Sequence, residues 1–541
     1  TCRDDVVKLY NAQTYTSHGY CKQGNQLDVK FCRNPSCNYC LVQPETATIH
    51  SDCFNLFSQR CKISDKYYRL WQASISIRPW PHSNHLCIPF QGEIGDLLVL
   101  SELFHPLLKR LPLEVIDMVG SLIGPNFIWR YRTVLKRIES LESTPAVKDC
   151  TLRLCDIKHW RRYQLPVICD TSPTAAYYVQ ITIDSGGIKA IDRTTAPKEE
   201  HNIRPTQYQL FIVEKAAKLC GVNAHLQAGY CRLQFYQPTW MKFSNCPLLP
   251  EVYHEVIPVL TKPKCTSAIR KATQVETYSY LSLIDTASCF GLTLFLHHHQ
   301  ILAVHAHTSI TPTAHETFLR LTPVRRQAAI WFYVALPVGE EITALGGSAI
   351  DSKAINGLES KSLFIQTKHQ GLLQAGQCNN EQLSVQLMTP TSGRPLLVHD
   401  VVSGFISLFS RSSRTTTHYL QARTPLLDCA YAGQAALENV MVAQTFMDCR
   451  TGQCRGIIFQ YNDGKVKSIG QCRLGVDETR CVEHPARVCS MTVDDTLTVE
   501  FAWSDAHSHT PVDSDAKWEC HEMTGTLNLW FDLACAKISI T

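Results

Sequence analysis

The chain has 541 residues, 45% of them hydrophobic, which excludes a disordered protein and provides material for more than one packed core; such a length suggests two to four domains. Lysine and arginine number 52 against 48 acidic residues, and the net charge of +4 excludes a dedicated nucleic-acid binder while leaving room for a local basic groove. The 25 cysteines read either as a disulfide framework or as reduced thiols, some bound to metal.

Cys2, Cys21, Cys32, Cys37, Cys40, Cys53 and Cys61 crowd into the start of the chain, while the others are scattered through apolar runs, as buried free cysteines are. The odd count argues against complete pairing. The sharpest pattern is Cys37-x2-Cys40 followed by His50-x2-Cys53. Two such hooks can converge on one tetrahedral zinc as a closed Cys3His site; the alternative is a set of cysteines packed in a core. Cys2, His18, Cys21, Cys32 and Cys61 could supply part of a second centre. Residues 1–62 are therefore expected to form a zinc-held module whose metal contributes folding free energy rather than catalysis. Thiolate ligation in turn implies a reducing compartment, the cytoplasm or nucleus. No run approaches 18 uncharged apolar residues, so no membrane association is expected, and the opening Thr1-Cys2-Arg3-Asp4-Asp5 lacks the basic start and apolar core of a signal peptide.

Residues 63–150 read as a connector and a helical segment. Tyr67-Tyr68-Arg69-Leu70-Trp71 and the turn Arg78-Pro79-Trp80-Pro81 are dense in aromatic residues, which suggests packing rather than a flexible linker. Val115, Met118, Val119, Leu122 and Ile123 recur at three- and four-residue steps on one helix face, with Pro112 suited to the first turn. Gly124-Pro125 ends that helix, and Phe127, Ile128, Tyr131, Val134, Leu135 and Ile138 start another. Such a pair is either buried internally or offered to a partner.

Residues 151–541 read as a large, mainly antiparallel β domain, sandwich or barrel-like, with room for two subdomains. Runs at 177–183, 278–283, 292–296, 301–307, 330–336, 363–367 and 456–461 are β-prone. Turns such as Asp184-Ser185-Gly186-Gly187 and Asn462-Asp463-Gly464 bound them. The expected class is α+β.

Two features of this region could carry chemistry. His297-His298-His299 and His305-Ala306-His307 form a cluster; on a strand His305 and His307 share a face, where they could chelate a metal, shuttle protons or simply be hydrogen-bonded. Glu340-Glu341 at a strand end could act as a base, bind a guanidinium or be solvated. No P-loop, dinucleotide fingerprint or Gly-x-Ser-x-Gly elbow occurs, which argues against ordinary nucleotide and serine-hydrolase chemistry.

Leu111-Pro112-Leu113-Glu114-Val115 with Val119 resembles the opening of an F-box, a helical segment that docks on the linker subunit of a ubiquitin ligase. Phe127-Ile128-Trp129-Arg130-Tyr131-Arg132 stands where the leucine-rich continuation is usual. Ile49-His50-Ser51-Asp52-Cys53-Phe54-Asn55-Leu56-Phe57, the Leu111-Pro112-Leu113-Glu114 helix, Trp129-Arg130-Tyr131, Ile301 to His307 and Cys454-Arg455-Gly456-Ile457-Ile458-Phe459-Gln460-Tyr461 running on to Gly470-Gln471-Cys472-Arg473 resemble a large, mostly uncharacterised group of filamentous-fungal proteins. Within such proteins, resemblance to the arginine-containing cyclodipeptide synthases implies the most concrete activity, tRNA-dependent joining of an arginyl group to a second amino acid in specialised metabolism. That likeness implies aminoacyl-tRNA as partner, His305, His307 and Glu341 as catalytic candidates, Glu340 as guanidinium binder, and Arg325 and Arg326 as phosphate contacts. The family's Asp-Asp-x-x-Glu motif has no clean copy, since Asp494-Asp495 is followed by Glu500 at a different spacing. A ubiquitin-ligase adaptor and a non-catalytic ligand- or protein-binding module are the alternatives.

Overall fold

Alternating apolar and polar residues make strands of most of the described chain. The structure, a computed structural model, describes residues 6–11, 29–32, 34, 37, 40, 43, 45–81, 88, 112, 115, 127–143, 149–169, 177–195, 205–206, 208–235, 241–247, 278–297, 300–309, 311–349, 362–376, 383–391, 396–400, 406–409, 413–420, 430–504, 509 and 517–541. It is an α+β protein, mainly β, and divides into two units, Thr1–Pro250 and Glu251–Thr541. No helix among the described residues is long and apolar enough to cross a membrane.

The first unit opens with a three-stranded sheet in which β1 (Val6–Asn11) lies between β2 (Val29–Cys32) and β3 (Ala47–His50). Helix α1 (Ser51–Arg60) follows β3 directly, α2 (Lys66–Ile75) comes next, and α3 (Phe127–Ser143) closes over α1. The apolar residues of these elements meet in one core. Val7, Leu9, Phe31, Phe54, Phe57, Trp71, Ile138 and Leu141 are all buried there, and Phe31, Phe54 and Tyr67 form a ring cluster with centroids 5.3 to 5.7 Å apart.

A boundary at residue 150 was expected, but this core reaches across it. Tyr230 belongs to the same cluster, and the Arg137 guanidinium on α3 donates to its hydroxyl at 2.8 Å. The strand Cys150–Arg153 pairs with Val222–Gln227, which pairs with Tyr230–Phe235. Residues 151–250 thus belong to the same unit as the N-terminal helices, because Tyr230 and the side chains around it add to the core that the first 150 residues begin.

Further strands of this unit run in the order Met241–Ser244, Leu210–Lys215, Tyr178–Asp184, Gly187–Thr194, Ile157–Arg161 and Val167–Ile168. The expected turn at 184–187 joins two of them, with Asp184 opposite Gly187. Gly187 has φ +97°, and a Cβ there would lie 1.9 Å from the Ser76 carbonyl oxygen, so the chain approach requires glycine.

The second unit is built from antiparallel sheets that share one large core. Leu292, Leu294, Leu345, Ile365, Leu397, Ile457, Phe459, Leu497, Leu527 and Phe531 contribute buried side chains to it. Gly291–His297 is the centre of a three-stranded sheet between Gln300–His307 and Ile330–Ala335. Ile342–Ala349 and Leu363–Thr367 belong to a five-stranded sheet, and Val440–Met447 and Cys454–Tyr461 to a four-stranded one. Two short helices, α4 (His315–Arg320) and α5 (Pro323–Ala328), link the strands Gln300–His307 and Ile330–Ala335. The β-prone runs read from the sequence all coincide with strands, within two residues at either end.

Candidate functional site

The strongest metal-binding geometry in the first unit lies at the end of β2. Cys32 is that strand's last residue, opposite Lys8 of β1. The Cys37 amide donates to the Asn34 carbonyl at 3.3 Å, and the Lys8 ammonium donates to the same oxygen at 3.0 Å. The sulfurs of Cys32, Cys37 and Cys40 lie within 4.8 Å of one another. None is in a disulfide, and Cys32 and Cys40 are buried. Burial, followed by the neighbouring Cys37 and Cys32 thiols, pushes the Cys40 thiol up to about 12. Without a cation Cys40 is a thiol at neutral pH. A soft divalent ion displaces thiol protons and relieves the crowding, which is the chemistry that a three-sulfur donor set suits.

This set corrects the expected ligands. Cys37 and Cys40 come together as the spacing suggested, but Cys32 joins them, while His50 and Cys53 are not part of the group. The reason is the order of the strands. Cys32 lies beside Lys8 on one flank of β1, and His50 lies beside Val6 on the other, two strand spacings across and two residues along, about 12 Å away. His50 is exposed at the start of α1, whereas Cys53 points inward at 6% exposure with its thiol raised chiefly by burial. The signal that could have found the set is the spacing Cys32-x4-Cys37-x2-Cys40. Cys2, His18 and Cys21 lie outside the described residues.

The histidine pair lies in the second unit. His305 and His307 share a face of the strand Gln300–His307, their rings 4.7 Å apart and nearly perpendicular. Both are buried, and all four ring nitrogens are engaged. The His307 Nδ1–H donates to the Pro312 carbonyl at 2.8 Å while Nε2 accepts from the Thr293 hydroxyl at 2.7 Å. The His305 Nε2–H donates to the Thr311 carbonyl at 3.1 Å, and its Nδ1 accepts from the Thr317 hydroxyl at 2.8 Å. These tautomers follow from the partners, since a carbonyl can only accept. Burial first, and then His307, depresses His305 to about 4; burial also lowers His307. Two neutral imidazoles therefore fasten residues 311–317 to the sheet. His298 and His299 lie outside the described residues.

The acids and arginines are placed elsewhere. Glu340 is 5% exposed; its Oε1 accepts from the His369 amide at 2.9 Å, and its Oε2 has no hydrogen-bond partner among the described residues. Glu341 is exposed and engages the turn through its carbonyl, which accepts from the Lys368 amide. Arg325 and Arg326 sit on α5, whose start is capped by the Thr322 hydroxyl. Among the described residues no hydrogen bond or ion pair joins these four to either imidazole, so the expected catalytic and phosphate-binding residues do not form one constellation.

His369 and Gln370 open onto a cleft of about 490 Å³ whose other walls include Glu438, Tyr461, Asp463 and Lys465. The Tyr461 hydroxyl donates to the Ala436 carbonyl at 2.8 Å, and the Lys465 ammonium pairs with Asp463 at 2.6 Å. Glu340 backs the turn that carries His369, and the Gln370 Oε1 is also buried without a hydrogen-bond partner among the described residues. No sequence motif announced this cleft, because its walls come from strands and turns far apart in the chain.

Part of the helical segment falls within the described residues. Only Pro112 and Val115 of residues 111–124 are described, so the F-box-like opening lies otherwise outside the described residues. In α3, Ile138 and Leu141 are buried and Val134 and Leu135 pack against the same core, which spends that apolar face inside the first unit. Asp494-Asp495, the nearest approach to the acidic motif, is a hairpin turn with φ +46° and +61°.

The fold and sites define a mainly antiparallel α+β protein with a cysteine cluster able to hold a metal. No protein-family model matches the chain, and no curated protein matches it at a significant level.

Proposed function

We propose that the chain is a zinc-dependent recognition protein. Zinc held by Cys32, Cys37 and Cys40 orders the first unit, and the second unit offers its polar cleft to a ligand. The observation that carries this reading is the convergence of three unbridged sulfurs within 4.8 Å beside an aromatic core that includes Phe31, the neighbour of Cys32. The metal would supply structural ligation there, while the residues of β1 and β2 and the bonds to the Asn34 carbonyl set the donor positions. Metal analysis of the full chain should find zinc that Cys37→Ser with Cys40→Ser diminishes, together with loss of folded structure in the first unit. Full zinc content in that variant would rule the reading out.

A second reading, synthesis of an arginine-containing cyclic dipeptide from aminoacyl-tRNA, draws support from Glu340. Its Oε2, buried without a hydrogen-bond partner among the described residues, lies behind the His369 turn and is an acceptor that a guanidinium would reach once that turn moves. Metabolite profiling of an expressing host tests it: a new arginine-containing diketopiperazine that Glu340→Gln abolishes would favour synthesis, and an unchanged profile would dismiss it. Binding of a ubiquitin-ligase linker subunit gains no support from α3, whose Val134, Leu135, Ile138 and Leu141 pack inside the first unit.

A further inference from the structure

Near the end of the chain a second set of soft donors is assembled by strand register rather than by a local motif. Arg487–Val493 is the central strand of a three-stranded antiparallel sheet, paired with Thr496–Ala502 on one side and Glu519–Glu522 on the other. Cys489 stands directly opposite Glu500 in the first pairing and opposite Cys520 in the second. Side chains directly opposite share a face, so Glu500, Cys489 and Cys520 form a row across the sheet. His509, from the connection between the outer strands, lies over that row. Its Nε2 is 3.2 Å from the Cys520 sulfur and its Nδ1 3.3 Å from Glu500 Oε2. Trp518 stacks on the ring at 4.0 Å with planes 9° apart.

We propose that Cys489 Sγ, Cys520 Sγ and His509 Nε2 hold a divalent cation of the zinc class, with Glu500 accepting the Nδ1 proton of His509. The three donor atoms already lie within 4.8 Å of one another. Around a tetrahedral zinc such donors sit roughly 3.5 to 4 Å apart, so only a small closure is needed. A carboxylate behind the second ring nitrogen is the arrangement that fixes the tautomer of a ligating histidine and raises its basicity. Glu500 is held in turn by Arg480 at 3.7 Å. Cys489 is fully buried. Binding as two thiolates would release the protons of both thiols to solvent, and the two thiolates would balance the metal's charge. The ion would pin the connection that carries His509 to the sheet, and a fourth position would remain for water or another donor.

Cys520, His509 and Glu500 also have the order of a thiol, a base and an orienting acid. Cys489 favours the metal, since a second sulfur facing the same ring nitrogen completes a three-donor set; a redox dithiol is the alternative that the disulfide and alkylation readouts detect. The test uses the full chain purified without chelator. Cys520→Ser and His509→Gln should each lower the zinc content by one equivalent per chain relative to the unsubstituted protein, a difference independent of the N-terminal centre. Glu500→Gln keeps all three donors and should weaken zinc affinity at this site about 10- to 100-fold, with cobalt substitution showing thiolate charge-transfer absorption that Cys520→Ser reduces. Unchanged zinc content in Cys520→Ser and His509→Gln would overturn the proposal. So would a Cys489–Cys520 disulfide in freshly purified protein, or rapid alkylation of Cys520 at neutral pH in chain that carries no zinc there.

Discussion

Acid should destabilise the second unit through histidines that the fold keeps neutral. His305 and His399 are 7% and 1% exposed, and burial, as the largest cause, depresses each from 6.5 to about 4. Above pH 6.5 both are neutral whether folded or unfolded, and their full contribution to stability is present. Below 6.5 the unfolded chain takes up protons that the folded one refuses, so stability falls as the pH drops toward 4. Each such group removes about 1.4 kcal/mol per pH unit, or about 3 kcal/mol across the window. Two of them together would consume a large part of the ~5–15 kcal/mol that holds a domain folded. His307, also lowered by burial, adds in the same direction. Urea unfolding in half-unit pH steps from 7.5 to 4.5 measures the slope. His305→Gln, which can still bond Thr317 or Thr311, should flatten it by about one proton's worth. Superimposable slopes for the two proteins, or stability rising as the pH falls, would refute the reasoning.

Three further substitutions probe packing. Phe57→Ala removes a side chain 1% exposed at the centre of the first unit's core and should cost about 3 to 5 kcal/mol in denaturant unfolding. Gly187→Ala should destabilise that first unit by about 1 to 3 kcal/mol from backbone strain alone, with the collision against the Ser76 carbonyl added; wild-type thermal stability would contradict the account. Asp448 accepts from Arg455 at 2.9 Å and Arg473 at 3.4 Å, and all three side chains are largely buried. Asp448→Ala leaves Arg455 without its carboxylate partner and should cost about 3 to 5 kcal/mol, whereas an exposed pair such as Lys465 with Asp463 should give less than ~1 kcal/mol on removal.

What the sequence displays well is local. The period-2 runs and their Gly, Asn and Asp turns mark strands that the structure reproduces, and the alternation that puts His305 and His307 on one face holds. Their hydrogen bonds to residues 311–317 depend on a turn whose path no periodicity announces. The cysteine spacing Cys37-x2-Cys40 is visible, but which further residue joins it is decided by β1 lying between β2 and β3, a pairing between distant segments. His50, which forms the more conspicuous hook with Cys53, is separated from the cluster by that strand. Cys489, His509 and Cys520 leave no local trace at all, since their proximity follows from register across three strands. The boundary near residue 250 was hidden for a related reason: Tyr230 completes a core begun by Val7 and Phe31, and burial of that kind has no spacing.

Zinc content of the full chain, counted before and after Cys32→Ser, tests the central claim most directly. Cys32 is the ligand that separates the observed trio from the expected His50 and Cys53 set. Loss of one zinc equivalent from Cys32→Ser, with none lost from His50→Gln, is the outcome this geometry requires; retention of zinc in Cys32→Ser alongside its loss in His50→Gln would contradict it.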